Sequence, residues 1–575
     1  MTFPWQRPLG ARPVGEGRVE FRVWAPAAEA VAVALGGREH PLEDEGHGVR
    51  AGVVDARPGD DYRYVLDGRD GRRELADPCS RAQPAGVLGP SSVVDPTAFR
   101  WTDDRWGGVR LRDLVIYELH VGTFTAEGTF DAAAEHLGRL ADLGVTAIEV
   151  MPIATFPGDR GWGYDGLYLW APHPAYGGPA GFARLVDAAH AAGLAVILDV
   201  VYNHVGSPAD QLSGFGPYFT GRYSTFWGDA INYDDAGSDP VREWAIQNAA
   251  MWVGEFHVDG LRIDAVHAIF DLGARHVLEE MGERVRAVRP RAFLIAESGL
   301  NDPRVIRPVE VGGWGLDAQW ADDFHHSLRV LLTGDADGYY RDFGRVADLA
   351  KAFGRPFVHD GTWSEFRGRR HGAPATDRAP EQFVVFAQNH DQVGNRALGD
   401  RLPAPARPLA ALCVLCAPFT PMLFMGEEYG EMAPFQFFTD HIDAFIAEAT
   451  REGRRREFAA FAEFSGEEVP DPQALETFER SRLTGREDGE LAALYRRLLA
   501  LRRELRLAGR EARATFDEGA RWLSVDLGGC TLAASFAREP QTVPAAGTEI
   551  LVAAGEASLG EGGVRLGPLS GALLR

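Results

Sequence analysis

The segment Ala195-Val-Ile-Leu-Asp-Val-Val-Tyr-Asn-His204 is an apolar run that ends in polar side chains. A short apolar run of this kind is typical of a buried strand, and a helical pattern precedes it. Within 181–192, Phe182, Leu185 and Ala189 recur at the spacing of one helix face. The two segments together predict a helix followed by a strand of a parallel sheet.

The same alternation of helix and strand repeats from about Arg112 to Met425. We count eight apolar strands, each followed by polar residues. Eight such units close a (β/α)8 barrel, so the predicted fold class is α/β with a TIM barrel at its centre. The predicted strands are Leu114–Leu119, Ala147–Met151, Ala195–Val201, Val258–Ile263, Ala292–Ala296, Leu316–Trp320, Phe383–Ala387 and Met422–Met425.

The segments on either side of the barrel have a different pattern. Residues 1–105 contain short alternating strands between Gly, Asp and Pro clusters, which predicts an N-terminal β-sandwich. Residues 106–510 form the predicted barrel domain, with an insertion at about 205–239 that is too long for a plain connection. The short strands of 511–575 predict a small C-terminal β-sandwich.

Composition excludes several classes of protein. The 575 residues are 45% hydrophobic and 25% charged, which is typical of a globular protein. The net charge of −24 repels phosphate backbones and anionic lipids, so we expect neither nucleic acid nor membrane partners. The 4 cysteines are too few for a disulfide scaffold, and the N-terminus lacks an apolar signal core. These features predict a cytoplasmic protein.

Polar side chains follow four of the predicted strands. In a (β/α)8 barrel the carboxyl ends of the strands build the active site. Any one of these residues alone is explained as well by a turn or a helix cap. Together they place several charges at one rim, and such groupings persist mainly where they function. The residues are Asp199, His204, Arg262, Asp264, Glu297, His390 and Asp391.

These four segments resemble the four signature regions of the α-amylase clan of glycoside hydrolases. The segment Phe21-Arg-Val-Trp-Ala-Pro26 resembles the N-terminal module of branching and debranching members of the clan. The resemblance implies that Asp264 is the nucleophile, that Glu297 is the general acid and base, and that Asp391 stabilises the transition state. It further implies that Arg262 orients the nucleophile. The implied sugar contacts are Tyr164, Asp199, His204 and His390, with Asn203 in a supporting position.

The chemistry of glycoside cleavage agrees with these roles. The transition state resembles an oxocarbenium ion, so it needs a proton on the leaving oxygen and negative charge near the anomeric carbon. Glu297 supplies the proton only if its surroundings keep it protonated near neutral pH. Arg262 lies two residues before Asp264, on the same face of the strand, and favours its ionised form. With Asp264 as the nucleophile that the resemblance implies, we predict a retaining reaction through a covalent glycosyl enzyme.

Three further stretches resemble one subgroup of that clan, which hydrolyses the α-1,4 bond next to the terminal trehalose of maltooligosyltrehalose. They are Trp227–Tyr233, Asp317–Ser327 and Met425–Glu431. The resemblance makes maltooligosyltrehalose and related α-glucans the expected partners. Asp323 and His326, after the sixth strand, are then candidates to hold the leaving trehalose, so Asp323→Ala is expected to raise KM selectively for that substrate. Trp227 is a candidate for stacking on a sugar ring.

Two alternatives remain open. A glycogen branching enzyme would pass the glucan from Asp264 to a sugar hydroxyl instead of to water. A noncatalytic glucan-binding protein on the same barrel is disfavoured because all three catalytic acids are present. We expect no cofactor and no metal, since the twelfth position of the calcium-loop-like segment from Asp335 is Val346 instead of Glu, and no H-E-x-x-H occurs.

Overall fold

A computed structural model describes residues 2–69, 71–225, 228–458, 469–486 and 488–575. At its N-terminal end, two antiparallel sheets have the strand orders β1-β2-β6-β5 and β4-β3-β7-β8, and β9 pairs with β7. Phe21 of the first sheet contacts Tyr62 of the second, at 4.9 Å between ring centroids, within the shared core of the predicted sandwich. The strands are β1 (Gly10–Gly15), β2 (Arg18–Trp24), β3 (Ala28–Leu35), β4 (Arg38–Pro41), β5 (Glu43–Gly46), β6 (Val49–Asp55), β7 (Asp61–Gly68), β8 (Gly71–Leu75) and β9 (Ser91–Ser92).

The middle of the chain contains a closed eight-stranded barrel. Its strand order is β10-β11-β14-β17-β18-β19-β22-β23, every neighbouring pair is parallel, and β23 pairs back onto β10. The predicted barrel is thereby confirmed, and each predicted strand overlaps one of these eight. The strands of this region are β10 (Ile116–Leu119), β11 (Ala147–Val150), β12 (Ala154–Thr155), β13 (Tyr168–Pro172), β14 (Ala195–Val200), β15 (Phe219–Thr225), β16 (Gly228–Ile231), β17 (Gly260–Ile263), β18 (Phe293–Ala296), β19 (Ala318–Trp320), β20 (Thr362–Ser364), β21 (Arg369–His371), β22 (Phe383–Phe386) and β23 (Thr420–Phe424).

Helices follow the barrel strands as a β/α fold requires. The helix predicted over 181–192 is α4, which begins three residues earlier with a proline in its first turn and buries Phe182, Leu185 and Ala189. No helix in the described part of the chain is long and apolar enough to cross a membrane. The helices are α1 (Val121–Phe124), α2 (Phe130–Ala134), α3 (Leu137–Leu143), α4 (Gly178–Ala191), α5 (Asp210–Ser213), α6 (Ser238–Glu255), α7 (Val277–Val288), α8 (Asp322–Thr333), α9 (Val346–Gly354), α10 (His390–Gly394), α11 (Arg407–Cys416), α12 (Ala444–Phe458), α13 (Leu475–Arg480) and α14 (Gly489–Leu505).

The C-terminal strands form two antiparallel sheets, with the orders β24-β25-β26-β31-β28 and β27-β30-β29. They pack on the barrel through α11, where Gly571 lies so close to Leu412 that an added Cβ would come within 2.6 Å of it. The strands are β24 (Arg513–Asp517), β25 (Trp522–Asp526), β26 (Thr531–Ser535), β27 (Gln541–Val543), β28 (Ile550–Ala554), β29 (Ala557–Gly560), β30 (Gly563–Leu566) and β31 (Ser570–Leu574).

The interior of the barrel has an apolar layer beneath a polar one. Strand periodicity explains the arrangement, because residues two apart on a strand share a face. Ala147 and Ile197 belong to the apolar layer, and Glu149 and Asp199 follow them two residues later on β11 and β14. The polar layer is the floor of the candidate site. The apolar layer comprises Leu114, Ile116, Ala147, Ala195, Ile197, Phe293, Ile295, Ala318, Trp320, Val384, Phe386 and Met422.

Candidate active site

Arg262 is a fully buried cation at the centre of the site. Its Nη1 group donates to both carboxylate oxygens of Asp199, at 2.9 Å each, and to Oδ1 of Asp264 at 2.8 Å. The guanidinium lies 4.2 Å from the ring centroid of Trp320, which packs against its flat face. Burial opposes the charge, but Asp199 and the other acids raise the pKa of Arg262 well above its usual value. The arginine therefore holds two carboxylates in fixed positions.

Asp264 has a second partner in Asn203, whose Nδ2 donates to Asp264 Oδ2 at 3.1 Å. His204 Nδ1 lies 2.9 Å from Asn203 Oδ1, and His204 Nε2 lies 2.9 Å from the carbonyl oxygen of Tyr164. The end of β14 is thus joined to the loop that carries Tyr164. Both oxygens of Asp264 are oriented, one by Arg262 and one by Asn203.

The residue after Asp264 has an unusual backbone. Ala265 has φ of 39°, in the left-handed region that costs a residue with a Cβ about 1–2 kcal/mol. In this conformation its N–H donates to Glu297 Oε2 at 2.7 Å. Strained residues of this kind cluster at active sites, where the surrounding structure holds them. The hydrogen bond from Ala265 holds Glu297 next to the residue that follows Asp264.

Glu297 lies at the end of β18, with Oε2 4.0 Å from Nη2 of Arg262. Asp264 and Glu297 therefore approach the same guanidinium. Burial raises the pKa of Glu297, Arg262 opposes the shift, and the charge of Asp264 adds to it. A carboxyl group with a raised pKa remains protonated at higher pH, as a general acid must.

His390 connects the remaining predicted residues. Its backbone N–H donates to Glu118 Oε2 at 2.8 Å, and its Nδ1 forms a hydrogen bond with Glu118 Oε1. Its Nε2 lies 2.7 Å from the hydroxyl of Tyr164. That hydroxyl donates to Asp199 at 2.6 Å, so it accepts from His390. Both ring nitrogens of His390 then donate, which requires the imidazolium form. Burial opposes this charge, yet Asp391 and Glu118 raise the pKa of His390 to about 9.

Asp391 lies on the open side of the site. Its Oδ2 is 3.5 Å from His390 Nε2, its Oδ1 accepts from Asn395 Nδ2 at 3.0 Å, and its side chain is 37% exposed. The structure thus brings Asp264, Glu297 and Asp391 to one mouth of the barrel. This is the arrangement that the strand ends predict.

The mouth opens into a cleft of about 1950 Å³. Tyr164, His204 and Asp391 line it, as the sequence patterns predict for sugar-contacting residues. Other cleft-lining residues come from later parts of the chain. The sequence patterns did not predict them, because they do not follow the end of a predicted barrel strand. These include Tyr339, Phe366, Phe437 and Phe445.

In the segment after the sixth barrel strand, Asp323 is buried among hydrogen-bond donors of the protein. Asp323 Oδ2 accepts from the N–H groups of Val358 and His359, at 2.8 Å each, and from Asn301 Nδ2 at 2.9 Å. These bonds make Asp323 an anchor for the 358–359 backbone, and its contact with substrate stays a prediction. The acid beside the catalytic carboxyl groups is its neighbour Asp322, whose pKa is raised well above the usual range by burial and by Glu297 and Asp391.

His326 also lies behind the cleft wall. Its ring packs 4.5 Å from that of Tyr339, which lines the cleft, and burial lowers the pKa of His326 to about 3, so the ring is neutral. Trp227, the remaining predicted sugar contact, falls outside the described residues. Among the described residues, no cluster of three His, Cys, Asp or Glu side chains is arranged to hold a metal ion.

Glu118 is a residue of the site that the strand-end pattern did not reveal. It lies within the apolar strand β10 and is 1% exposed. A carboxylate inside an apolar strand is itself a signal, because buried acids are rare unless they are paired.

The chain is similar to known proteins over nearly its whole length. Residues 94–216 match the family described as alpha amylase, catalytic domain, and residues 8–80 match carbohydrate-binding module 48, the isoamylase N-terminal domain. The malto-oligosyltrehalose trehalohydrolase of Rhizobium sp. (strain M-11) is 47% identical, over 98% of this chain and 99% of the relative. The enzyme of the same name from Saccharolobus solfataricus is 45% identical, over 96% of this chain and 95% of the relative.

A crystal structure from Salmonella typhimurium, described as an alpha amylase, has a TM-score of 0.90 and 39% identity, over 98% of this chain and 99% of that one. A 1,4-alpha-glucan branching enzyme from Cereibacter sphaeroides is 34% identical but covers only 61% of this chain and 55% of its own length. The relatives from Rhizobium and Saccharolobus thus share one name over nearly the whole chain, and the branching enzyme is a partial match. The chain belongs to the malto-oligosyltrehalose trehalohydrolase family of α-amylase-type glycoside hydrolases.

Proposed function

We propose that this protein hydrolyses the α-1,4 bond adjacent to the terminal trehalose of maltooligosyltrehalose. The products are trehalose and a maltooligosaccharide that is shorter by the released unit. The observation that carries the proposal is the approach of Asp264 and Glu297 to one guanidinium, that of Arg262, close to a large cleft that Tyr164, His204 and Asp391 line. The family membership of the whole chain supports the choice of substrate.

In this reaction Asp264 attacks the anomeric carbon while Glu297 protonates the glycosidic oxygen. The bond between the anomeric carbon and that oxygen breaks, and a covalent glycosyl ester forms on Asp264. Glu297, now ionised, takes a proton from water, which attacks the same carbon and releases Asp264. Two inversions give net retention of configuration.

The raised pKa of Glu297 supports its role as the acid, and two hydrogen-bond donors keep the oxygens of Asp264 aligned for attack. Asp391, the most exposed of the three acids, is available to face the sugar ring and to stabilise positive charge there. The charged His390, held by Glu118, is positioned to donate to a sugar hydroxyl or to keep Tyr164 in place.

The leaving trehalose belongs on the side of the cleft near Asp322, next to the proton donor. A neutral Asp322 can donate one hydrogen bond and accept others, which suits the hydroxyl groups of a disaccharide. Tyr339 and Phe366 supply flat surfaces on the same cleft. This assignment replaces Asp323 with Asp322 as the acid that faces the trehalose.

A cytoplasmic role in trehalose biosynthesis agrees with the state of the cysteines. Cys79, Cys413, Cys416 and Cys530 are all buried and free. Unpaired thiols are the rule in reducing compartments.

The test is incubation of the protein with maltooligosyltrehalose, maltohexaose and glycogen, followed by chromatography of the products. We expect rapid release of trehalose from the first substrate only, and release slowed by about 10²–10⁴ with Glu297→Gln. Chain transfer without trehalose would instead establish a branching enzyme, and glucan binding without turnover would establish a binding protein.

Stereochemistry provides a separate test of the mechanism. Proton NMR of a fresh reaction should show the α anomer of the new reducing end first, with the β anomer arising later by mutarotation. A β anomer as first product would remove Asp264 from the role of nucleophile.

A further inference from the structure

Glu149 is a buried acid that the proposed reaction does not use. It lies on β11, faces the barrel interior two residues after Ala147, and is paired in register with Glu118 on β10. Its exposure is 0%, and neither of its carboxyl oxygens forms a hydrogen bond with another described residue. It therefore lies in the polar layer directly beneath the catalytic groups.

Charged groups face Glu149 from several elements. They are Glu118 of β10, Asp199 of β14, Arg262 of β17 and His390 of α10. Burial and the charge of Glu118 raise the pKa of Glu149 well above its usual value, against the opposing effect of Arg262. An ionised carboxylate with no direct hydrogen-bond donor in such an interior is disfavoured, so the burial of Glu149 and its lack of direct donors favour the protonated form.

The unpartnered atoms around Glu149 complement one another. Arg262 uses Nη1 for its three bonds to Asp199 and Asp264, whereas its Nε and Nη2 are buried without hydrogen-bond partners. Trp320 Nε1, in the ring that packs against the guanidinium, is a further buried donor, and the two carboxyl oxygens of Glu149 are the acceptors. Donors and acceptors in this number are the surroundings in which buried water is normally held.

We propose that Glu149 is a positioning residue whose protonated carboxyl group, through bound water, completes the hydrogen bonding of Arg262 at the guanidinium nitrogens that have no direct partner, Nε and Nη2. The third nitrogen, Nη1, is then left to Asp199 and Asp264. An ionised Glu149 would compete for the guanidinium and draw it away from Asp264. The inference rests on the proposed function, since it concerns the group that aligns the proposed nucleophile.

Infrared difference spectroscopy tests the protonation state without any substrate. The spectrum of the parent minus that of Glu149→Gln, at neutral pH, should contain the C=O band of a protonated carboxyl group, and this band should shift in deuterium oxide. Bands of an ionised carboxylate in its place would overturn the proposal. Because no turnover is involved, this outcome is separate from a failure of the parent to release trehalose.

Kinetics test the positioning role. Glu149→Met removes the carboxyl acceptor and keeps a similar side-chain volume. We expect kcat to fall about tenfold with little change in KM, because Nε and Nη2 of Arg262 lose their water-mediated partner. Glu149→Gln, a neutral isostere, should recover most of kcat and leave the alkaline limb of the pH profile in place. Ile197→Met, in the next strand of the barrel, controls for repacking, and thermal unfolding reports whether each variant is folded.

Two results would contradict the positioning role. One is a Glu149→Met enzyme as active as Ile197→Met, which would make Glu149 a spectator. The other is an alkaline limb displaced in Glu149→Gln, which would mean that the parent carries a negative charge at this position.

Discussion

Replacement of Arg262 by lysine tests the central contact of the site. The Nη1 group makes three charge-assisted contacts, two with Asp199 and one with Asp264. A lysine ammonium keeps the charge but lacks the planar fork, so it cannot hold both carboxylates at these distances. The variant therefore loses the fixed position of Asp264 while it retains a cation in the barrel.

The expected magnitude follows from the bond to Asp264. A hydrogen bond to a charged group contributes about 1.5–3 kcal/mol, and every 1.4 kcal/mol is about tenfold in rate. Arg262→Lys should then lower kcat by about 10- to 150-fold. KM should change little, because the side chain has no exposure to the cleft.

The assay is release of trehalose from maltooligosyltrehalose over a range of substrate concentrations, with urea unfolding of the same samples. Arg242→Lys is the matched control, because Arg242 is also buried and donates to Asp271 and to the carbonyl oxygen of Tyr233, away from the catalytic acids. Both variants should lose about 1–3 kcal/mol of stability, and only Arg262→Lys should lose activity. Equal activity of the two variants would refute the reasoning.

Four further outcomes are expected. Glu297→Gln should lower kcat by about 10²–10⁴ while calorimetry still detects glucan binding, and turnover near that of the parent would contradict its role as the acid. Ala265→Gly relieves a positive φ, so denaturant unfolding should show a gain of about 0–1 kcal/mol, whereas Ala268→Gly in the same loop should show a loss. Asp323→Ala removes the anchor of 358–359 and should cost about 1–3 kcal/mol while raising KM equally for maltooligosyltrehalose and maltooligosaccharides, and a selective KM effect would restore the trehalose contact. The raised pKa of His390 means that its protonated form stabilises the fold. This contribution is complete below the unfolded pKa of about 6.5 and is lost as pH rises through about 9, so the difference in free energy of unfolding between the parent and His390→Asn should narrow over that range.

The barrel could be predicted because its signals are local. Each strand is a short apolar run, and the helices between them repeat with a different period. The carboxyl ends of parallel strands meet at one rim, so Asp264, Glu297 and Asp391 could be grouped without knowledge of side-chain positions. The domain boundaries at 105/106 and 510/511 stay predictions.

The contacts around α8 could not be predicted in the same way. Asp322 and Asp323 are adjacent at the start of that helix, and successive helical residues point in directions about 100° apart. Which of them faces the catalytic acids depends on how the helix docks. The deciding partners of Asp323 are the backbone groups of Val358 and His359, 35 and 36 residues away in sequence.

Glu118 illustrates the same limit at longer range. Its partner His390 is 272 residues away, and no local pattern joins the two. Only closure of the barrel, which brings the first strand near the end of the seventh, makes the pair. The rest of the cleft wall likewise comes from connections such as 437–456, whose positions depend on tertiary packing.

The apolar layer in the lower half of the barrel determines from which side molecules reach and leave the site. Side chains such as Ile197, Ile295 and Phe386 fill that space. In the described part of the molecule, substrate and water therefore reach the catalytic acids from the cleft side. The water that enters and the disaccharide that leaves must then pass through the same opening of the cleft. Once the disaccharide has left, water and a sugar hydroxyl compete to attack the ester on Asp264. Attack by water gives hydrolysis, and attack by a sugar hydroxyl gives transfer.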